Sequence, residues 1–271
     1  MPRVWKHGAV ACLVVSLAAC AAALPPKETP QSSKVIKQNS DDKEVADGIS
    51  MIKAGKMQAA IDGPLADVAN RLERQYANSP DQIYSPRGPA LTADYAGLAV
   101  GDKKHPGHGK RIINIGPAWG MAYWARGYAY GDMGRYPEAE TELSKALALS
   151  PKDSQYLGEL AYVNQRQGRY DDSFKLYRAA IRNIDLMDTW PDAEKNEFLC
   201  RAYGGQGFDM AQLKRYDEAE KAYGACLRLM PNDAKSKAGM EGIRGLKVPV
   251  GGKAVGGGNA AGVGNAAGVG K

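Results

Sequence analysis

From Gly120 to Asp233, small and apolar side chains recur at helical spacing, in paired stripes separated by polar turns. Tyr123, Gly127 and Tyr130 form one stripe, and Ala139, Leu143 and Ala146 form the next. Steps of four and three residues predict two amphipathic helices, each burying one face. The pattern returns as Leu157 and Ala161 with Ser173, Tyr177 and Ala180. It returns again as Tyr203, Gly207 and Met210 with Ala219, Tyr223 and Cys226. The turns repeat too. Gly134-Arg135-Tyr136-Pro137-Glu138-Ala139 recurs 34 residues later as Gly168-Arg169-Tyr170-Asp171-Asp172-Ser173. A third copy, Lys214-Arg215-Tyr216-Asp217-Glu218-Ala219, follows after 46 residues, which is 34 plus an insertion of 12. A weaker copy, Gly55-Lys56-Met57-Gln58-Ala59-Ala60, lies upstream.

A 34-residue period with these residue types resembles the tetratricopeptide repeat (TPR). The units are 120–153, 154–187 and 200–233, with Pro151 and Pro231 closing the first and third and Asp185 standing where proline is usual in the second. The resemblance implies an all-α fold, a solenoid of helical hairpins wound as a right-handed superhelix. Small residues at positions 8 and 20 of each unit let its two helices approach closely. Eleven of the 14 tyrosines lie between Gly120 and Asp233, where rings fill the space between stacked units. The insertion 188–199 is expected to prolong the first helix of the third unit from near Pro191, with Thr189 as a cap. A closing helix is expected from Asp233 to about Leu246.

The flanks read differently. Residues 44–117 are expected to form a degenerate helical hairpin turning at Gly55, its second helix disturbed by Gly63-Pro64, followed by a proline-bearing loop over 79–90, a short helix from Leu91 to Val100 and a basic loop over Gly101 to Lys110. Residues 20–43, rich in Pro, Lys, Ser and Gln, read as a flexible tether. The tail 249–271 repeats Gly-Asn-Ala-Ala-Gly-Val from Gly258 and from Gly264, and that much glycine opposes order.

At the N-terminus, Arg3, Lys6 and His7 precede an apolar run from Gly8 to Leu24, stopped by Pro25 and Pro26. This is the pattern of a secretory signal and is too short for a comfortable membrane span. Leu17-Ala18-Ala19-Cys20 resembles the bacterial lipobox. That resemblance implies removal of residues 1–19, acylation of Cys20 and, with Ala21 following, retention at the outer membrane facing the periplasm. A plain signal-peptidase site near Ala21-Ala22-Ala23, or an uncleaved anchor with a free Cys20 thiol, are the alternatives.

Composition narrows the chemistry. The net charge of +6 falls to +4 once Arg3 and Lys6 leave with the signal, and no arginine-rich stripe interleaves with aromatics, so nucleic acid is not an expected partner. Mean hydropathy of −0.43 excludes a polytopic membrane protein. Only His105 and His108 remain beyond the signal, in a lysine-rich loop that repels a cation, so neither a metal nor any other cofactor is expected there. That loop also lacks the glycine and hydroxyl spacing of a phosphate loop, and no nucleophile or dinucleotide motif occurs in the chain. The expectation is therefore non-catalytic.

What remains is a binding surface. In the family resembled, positions 2, 5, 9 and 12 of the first helix face a concave groove. Here they supply Trp124 at position 5, Tyr128, Tyr162 and Phe208 at position 9, and Gln155, Gln165 and Arg201 as polar neighbours. A row of rings one repeat apart suits an extended or helical peptide. The same rings would instead be core if the insertion or the N-terminal hairpin packs on them. Position 5 holds Trp124, Gly158 and Gly204, so the family's carboxylate-clamp pattern is missing. The expected role is an envelope-anchored adaptor for an assembly or secretion system, binding a protein or peptide. The alternative is an accessory factor that docks a cell-wall enzyme or binds peptidoglycan glycan.

Cys200 and Cys226 occupy positions 1 and 27 of one unit, at about the same level of an antiparallel hairpin. An oxidising compartment would allow a bond worth ~3 kcal/mol on the chain-entropy model. Packed helix axes ~8–10 Å apart oppose it. The other reading is a buried Cys226 beside a separate Cys200 thiol.

Overall fold

The computed structural model describes residues 30–101 and 109–247. The expected signal 1–19, Cys20, the His105 and His108 pair and the tail 249–271 lie outside the described residues. Helices dominate. They are α1 (Pro30–Lys53), α2 (Met57–Asp62), α3 (Pro64–Tyr76), α4 (Pro89–Gly101), α5 (Ala118–Asp132), α6 (Tyr136–Leu149), α7 (Ser154–Arg166), α8 (Tyr170–Arg182), α9 (Asp192–Gln212), α10 (Tyr216–Leu229) and α11 (Ala234–Lys247). Two short strands, β1 (Gln82–Tyr84) and β2 (Ile112–Asn114), pair in parallel with Ile83 opposite Ile113. Among the described residues no helix is long and apolar enough to cross a membrane.

Each unit is a hairpin: α5 with α6, α7 with α8, α9 with α10. One turn geometry makes all three. Gly134 and Gly168 both adopt φ +77°, and Lys214 adopts φ +60°. The amide of the turn residue donates to the carbonyl three back, and the next amide to the carbonyl five before it. Gly134 N reaches Gly131 O and Arg135 N reaches Tyr130 O, at 3.1 and 2.8 Å; Lys214 N reaches Ala211 O and Arg215 N reaches Met210 O, at 3.0 and 2.8 Å. This is a Schellman closure, which needs a left-handed residue and therefore favours glycine. Gly55, at φ +78°, closes α1 onto α2 in the same way. The upstream copy is thus a hairpin of the same construction, with α2 and α3 broken at Gly63 and restarted by Pro64.

Close approach within hairpins follows from the small residues. A Cβ on Gly127 would lie 2.6 Å from Leu143 Cγ, and one on Gly207 would lie 2.7 Å from the Tyr223 ring. Between units, the buried Leu65, Val68 and Leu72 of α3 join Val45 and Ile52 of α1 and Trp119 and Tyr123 of α5 in one core. α9 runs back to Asp192 as expected for the insertion, but its cap position is Pro191 and Thr189 makes no cap bond. α11 packs on α10 through Met240 and the buried Ile243.

Two expectations need correction. The stretch expected to be tether is helical from Pro30, and from Asp41 onward it is tied down: the Arg71 guanidinium bonds both Asp41 and Glu44. No glycine or proline interrupts residues 31–47, so nothing local stops a helix that α3 can anchor. Residues 77–117 are more than loop and helix. β1, α4 and β2 form a brace along the links between units. Ser85 N donates to Leu149 O at 2.9 Å, and Ser85 Oγ bonds Gly116 O and Gly120 N. The buried Tyr95 hydroxyl meets Ser150 Oγ at 3.0 Å and accepts from Lys152 N. Arg87 grips Asp153 through two bonds of 2.7 and 2.9 Å and Gln155 through a third. Its guanidinium also lies over the rings of Tyr156 and Trp190, tying the first link to the insertion.

Candidate functional site

The first helix of each unit, α5, α7 and α9, presents the residues expected to face a groove. The structure divides them. Trp124 is 7% exposed and stacks on Tyr156 of the next unit, with ring centroids 6.4 Å apart. The other two position-5 residues also face the following helix: a Cβ on Gly158 would meet the Phe198 ring at 2.9 Å, and one on Gly204 would meet Ser236 at 3.5 Å. Position 5 is therefore a junction here, and Trp124 belongs to the core. Gln165 behaves similarly. Its amide donates to Asp209 Oδ1 at 2.8 Å and to Gly205 O at 3.2 Å, fastening α7 to α9. Gln155 is buried by Arg87.

The ring row at position 9 stays at the surface. Tyr128 and Tyr162 are half-buried, and Phe208 is 41% exposed. Phe208 and Tyr162 lean on side chains near the turns, while Tyr128 also packs on the core. Phe208 contacts Tyr170 edge-on at 6.1 Å, and Tyr162 lies beneath Arg166, whose guanidinium also covers Tyr136. Tyr128 contacts Trp124 at 6.0 Å. Arg201 is exposed, with its guanidinium over the Phe198 ring. Position within the repeat thus identified the row of rings, while Arg166, at position 13, was missed; its signal was an arginine two residues before a Gly-Arg-Tyr turn.

Beneath the row, Asp209 is 0% exposed, and burial pushes its carboxyl up to about 7, against the pull of the bond from Gln165. A carboxyl in that range takes up a proton near neutrality instead of demanding a cation. Cys200 and Cys226 form a disulfide, with Cα atoms 4.1 Å apart. The approach that ordinary axis spacing opposes is eased by Gly207 of α9, where a Cβ would lie 2.7 Å from the Tyr223 ring of α10. Asp233 lies beside the two sulfurs, but with both bonded to each other only its carboxylate is left to face a cation.

Residues 125–187 match the family model described as Tetratricopeptide repeat. No curated protein matches the chain by sequence. Among solved structures, pilF of Pseudomonas aeruginosa is similar at 15% identity over 76% of this chain and 69% of that one, with a TM-score of 0.50. A tetratricopeptide repeat protein from Parabacteroides merdae is 15% identical over 77% of this chain and 61% of that one, at a TM-score of 0.48. The Arabidopsis OM64 TPR domain covers 46% of this chain and 94% of its own length, at 17% identity and a TM-score of 0.41.

Proposed function

We propose that this chain, a tetratricopeptide-repeat protein, is a non-catalytic scaffold that holds a protein or peptide partner across the ring row of its first helices. The observation that carries this reading is the return of an accessible aromatic at one repeat position, Tyr128, Tyr162 and Phe208, while Tyr123, Tyr156, Tyr177 and Tyr223 are buried. Rigid rings offer contact area at low conformational cost, and a row stepped by one repeat suits an extended chain. The array beneath is held by its own core, so the rings are available to a partner without unfolding it. The sequence supports a finer reading: Leu17 to Cys20 directs export and lipidation at Cys20, and the scaffold serves an assembly or secretion system on the periplasmic side of a bacterial outer membrane.

Crosslinking in the native envelope tests the first part. Replacing Tyr128, Tyr162 and Phe208 together by Ala should abolish the captured partner while leaving helicity intact; undiminished capture would end the proposal. Cys20→Ala should abolish acyl labelling and membrane fractionation, and a variant that labels and fractionates like the parent would remove the anchor.

A further inference from the structure

The arginines at the turns of the array fall into two kinds. Arg135, Arg169 and Arg215 each pair with a glutamate, Glu138, Glu140 and Glu218, at 2.9, 2.6 and 2.6 Å. Arg166 does not. It is exposed on the last turn of α7, and among the described residues it makes no ion pair. Rings hold it instead: its guanidinium carbon lies 5.4 Å from the centroid of Tyr136 and 5.9 Å from that of Tyr162. A guanidinium held against rings is positioned without using its N–H donors, which stay available to a planar acceptor. Ordering the fork beforehand also lowers the entropy a ligand must offset.

Next along the array stands the most exposed ring of the row, Phe208, packed edge-on against Tyr170. Neighbouring helices lie ~8–10 Å apart, which an extended chain covers in about three residues at ~3.3 Å each.

We propose that Arg166, framed by Tyr136 and Tyr162, receives a carboxylate of an acidic peptide segment, and that an apolar side chain of the same segment, about three residues away, sits on the Phe208–Tyr170 pair. This rests on the scaffold reading above and adds the partner's chemistry to it. The recognition is charge-assisted and bidentate, a different device from a lysine and asparagine clamp at positions 5 and 9.

Fluorescence anisotropy on the full chain tests it with three labelled peptides of twelve residues, each with Leu at every third position and Glu, Lys or Ser elsewhere. The Glu peptide should bind about tenfold more tightly than the Lys peptide at low salt, with the preference shrinking as salt rises. Arg166→Gln should erase the preference, and Arg166→Lys should restore only part of it, because an ammonium keeps the charge and loses the fork. Unchanged circular dichroism and melting of both variants would assign the loss to recognition. Tyr162→Ala with Phe208→Ala should weaken all three peptides. If the ring variant weakens binding while Arg166→Gln leaves the Glu preference intact, the acidic inference falls and the scaffold reading stands. If the parent binds no peptide but binds soluble peptidoglycan fragments through the rings, both fall.

Discussion

Along residues 118–247, neighbouring helices meet through glycine, alanine and rings, and the same contacts return at each repeat. Along 77–117 the apolar contacts of Tyr84, Leu91 and Tyr95 are joined by buried polar groups, each used once. The contrast is sharpest in two carboxylates that are both 0% exposed. Asp153, at the seam with the brace, caps α7 by accepting from Gln155 N and Tyr156 N and is gripped by Arg87. Asp209, inside the array, accepts from the neutral Gln165 amide, and among the described residues it makes no ion pair. A buried charge must be paired or neutralised. The seam takes the first course, with a guanidinium that ties two distant segments together. The array takes the second, raising the carboxyl's pKa instead of importing a cation. The array is thus held by what each unit repeats, and the brace by a few contacts that cannot be replaced by neighbours.

The largest expected effect comes from breaking the seam. Arg87→Ala removes the cation paired with Asp153, the bond to Gln155 and the contacts over Tyr156 and Trp190. Leaving a carboxylate buried without its cation costs about 3–5 kcal/mol, and a loss toward the lower end is expected because Gln155 N and Tyr156 N still donate to it. Urea unfolding measures it. A cost below about 1 kcal/mol would show that the brace is an appendage and that the array stands without it.

The same contrast explains what the sequence discloses. Gly134, Gly168 and the small residues at Gly127, Gly207 and Ala219 act on partners within one hairpin, so their meaning is local and the repeat exposes it. The brace has partners 35 to 98 residues away, as in Ser85 with Gly120 and Ala90 with Asp188. Nothing periodic marks them. β1 and β2 are three residues each, too short for an alternating pattern to stand out, and Pro80, Pro86 and Pro89 around them speak for loop. In the candidate site the ring row was legible, because a repeat position fixes which face a side chain occupies. The burial of Trp124 was not, since it depends on Tyr156 arriving from the next unit. Arg166 escaped for the same reason, as Tyr136 and Tyr162 belong to two different units.

A second, smaller effect distinguishes the paired carboxylate from the unpaired one. The folded-state pKa of Asp209, about 7, lies above its unfolded value near 4. Between those values the native state holds a proton that the unfolded chain has lost. Stability from this group is therefore complete below about pH 4, falls as pH rises through 7, and is flat beyond. The range corresponds to roughly 4 kcal/mol at most. Asp209→Asn keeps a carbonyl for the Gln165 amide and removes the titration, so its unfolding free energy should exceed the parent's at pH 8 and match it at pH 4. Parallel pH profiles for variant and parent would show that Asp209 is charged and solvated in the folded protein.

The smallest effect tests the turns that make the array regular. Gly55, Gly134 and Gly168 sit at φ +77° to +78°, while the third unit places Lys214 at φ +60° in the same Schellman closure. A side chain with a Cβ pays about 1 kcal/mol in that left-handed region, and glycine does not. Lys214 N and Arg215 N make the same two turn bonds as their glycine-headed counterparts, so the hydrogen bonding should be indifferent to the exchange. Lys214→Gly should therefore stabilise by up to about 1 kcal/mol, somewhat reduced because glycine also frees the unfolded chain. In a domain of this size that is a rise in Tm of about 2–4 °C. Gly168→Ala, the reverse exchange one unit earlier, meets no neighbouring atom within 4 Å and so isolates the backbone cost. It should lower Tm by a similar amount. If Lys214→Gly lowers Tm instead, the third turn is held by its lysine side chain, and the units are less alike than their backbones.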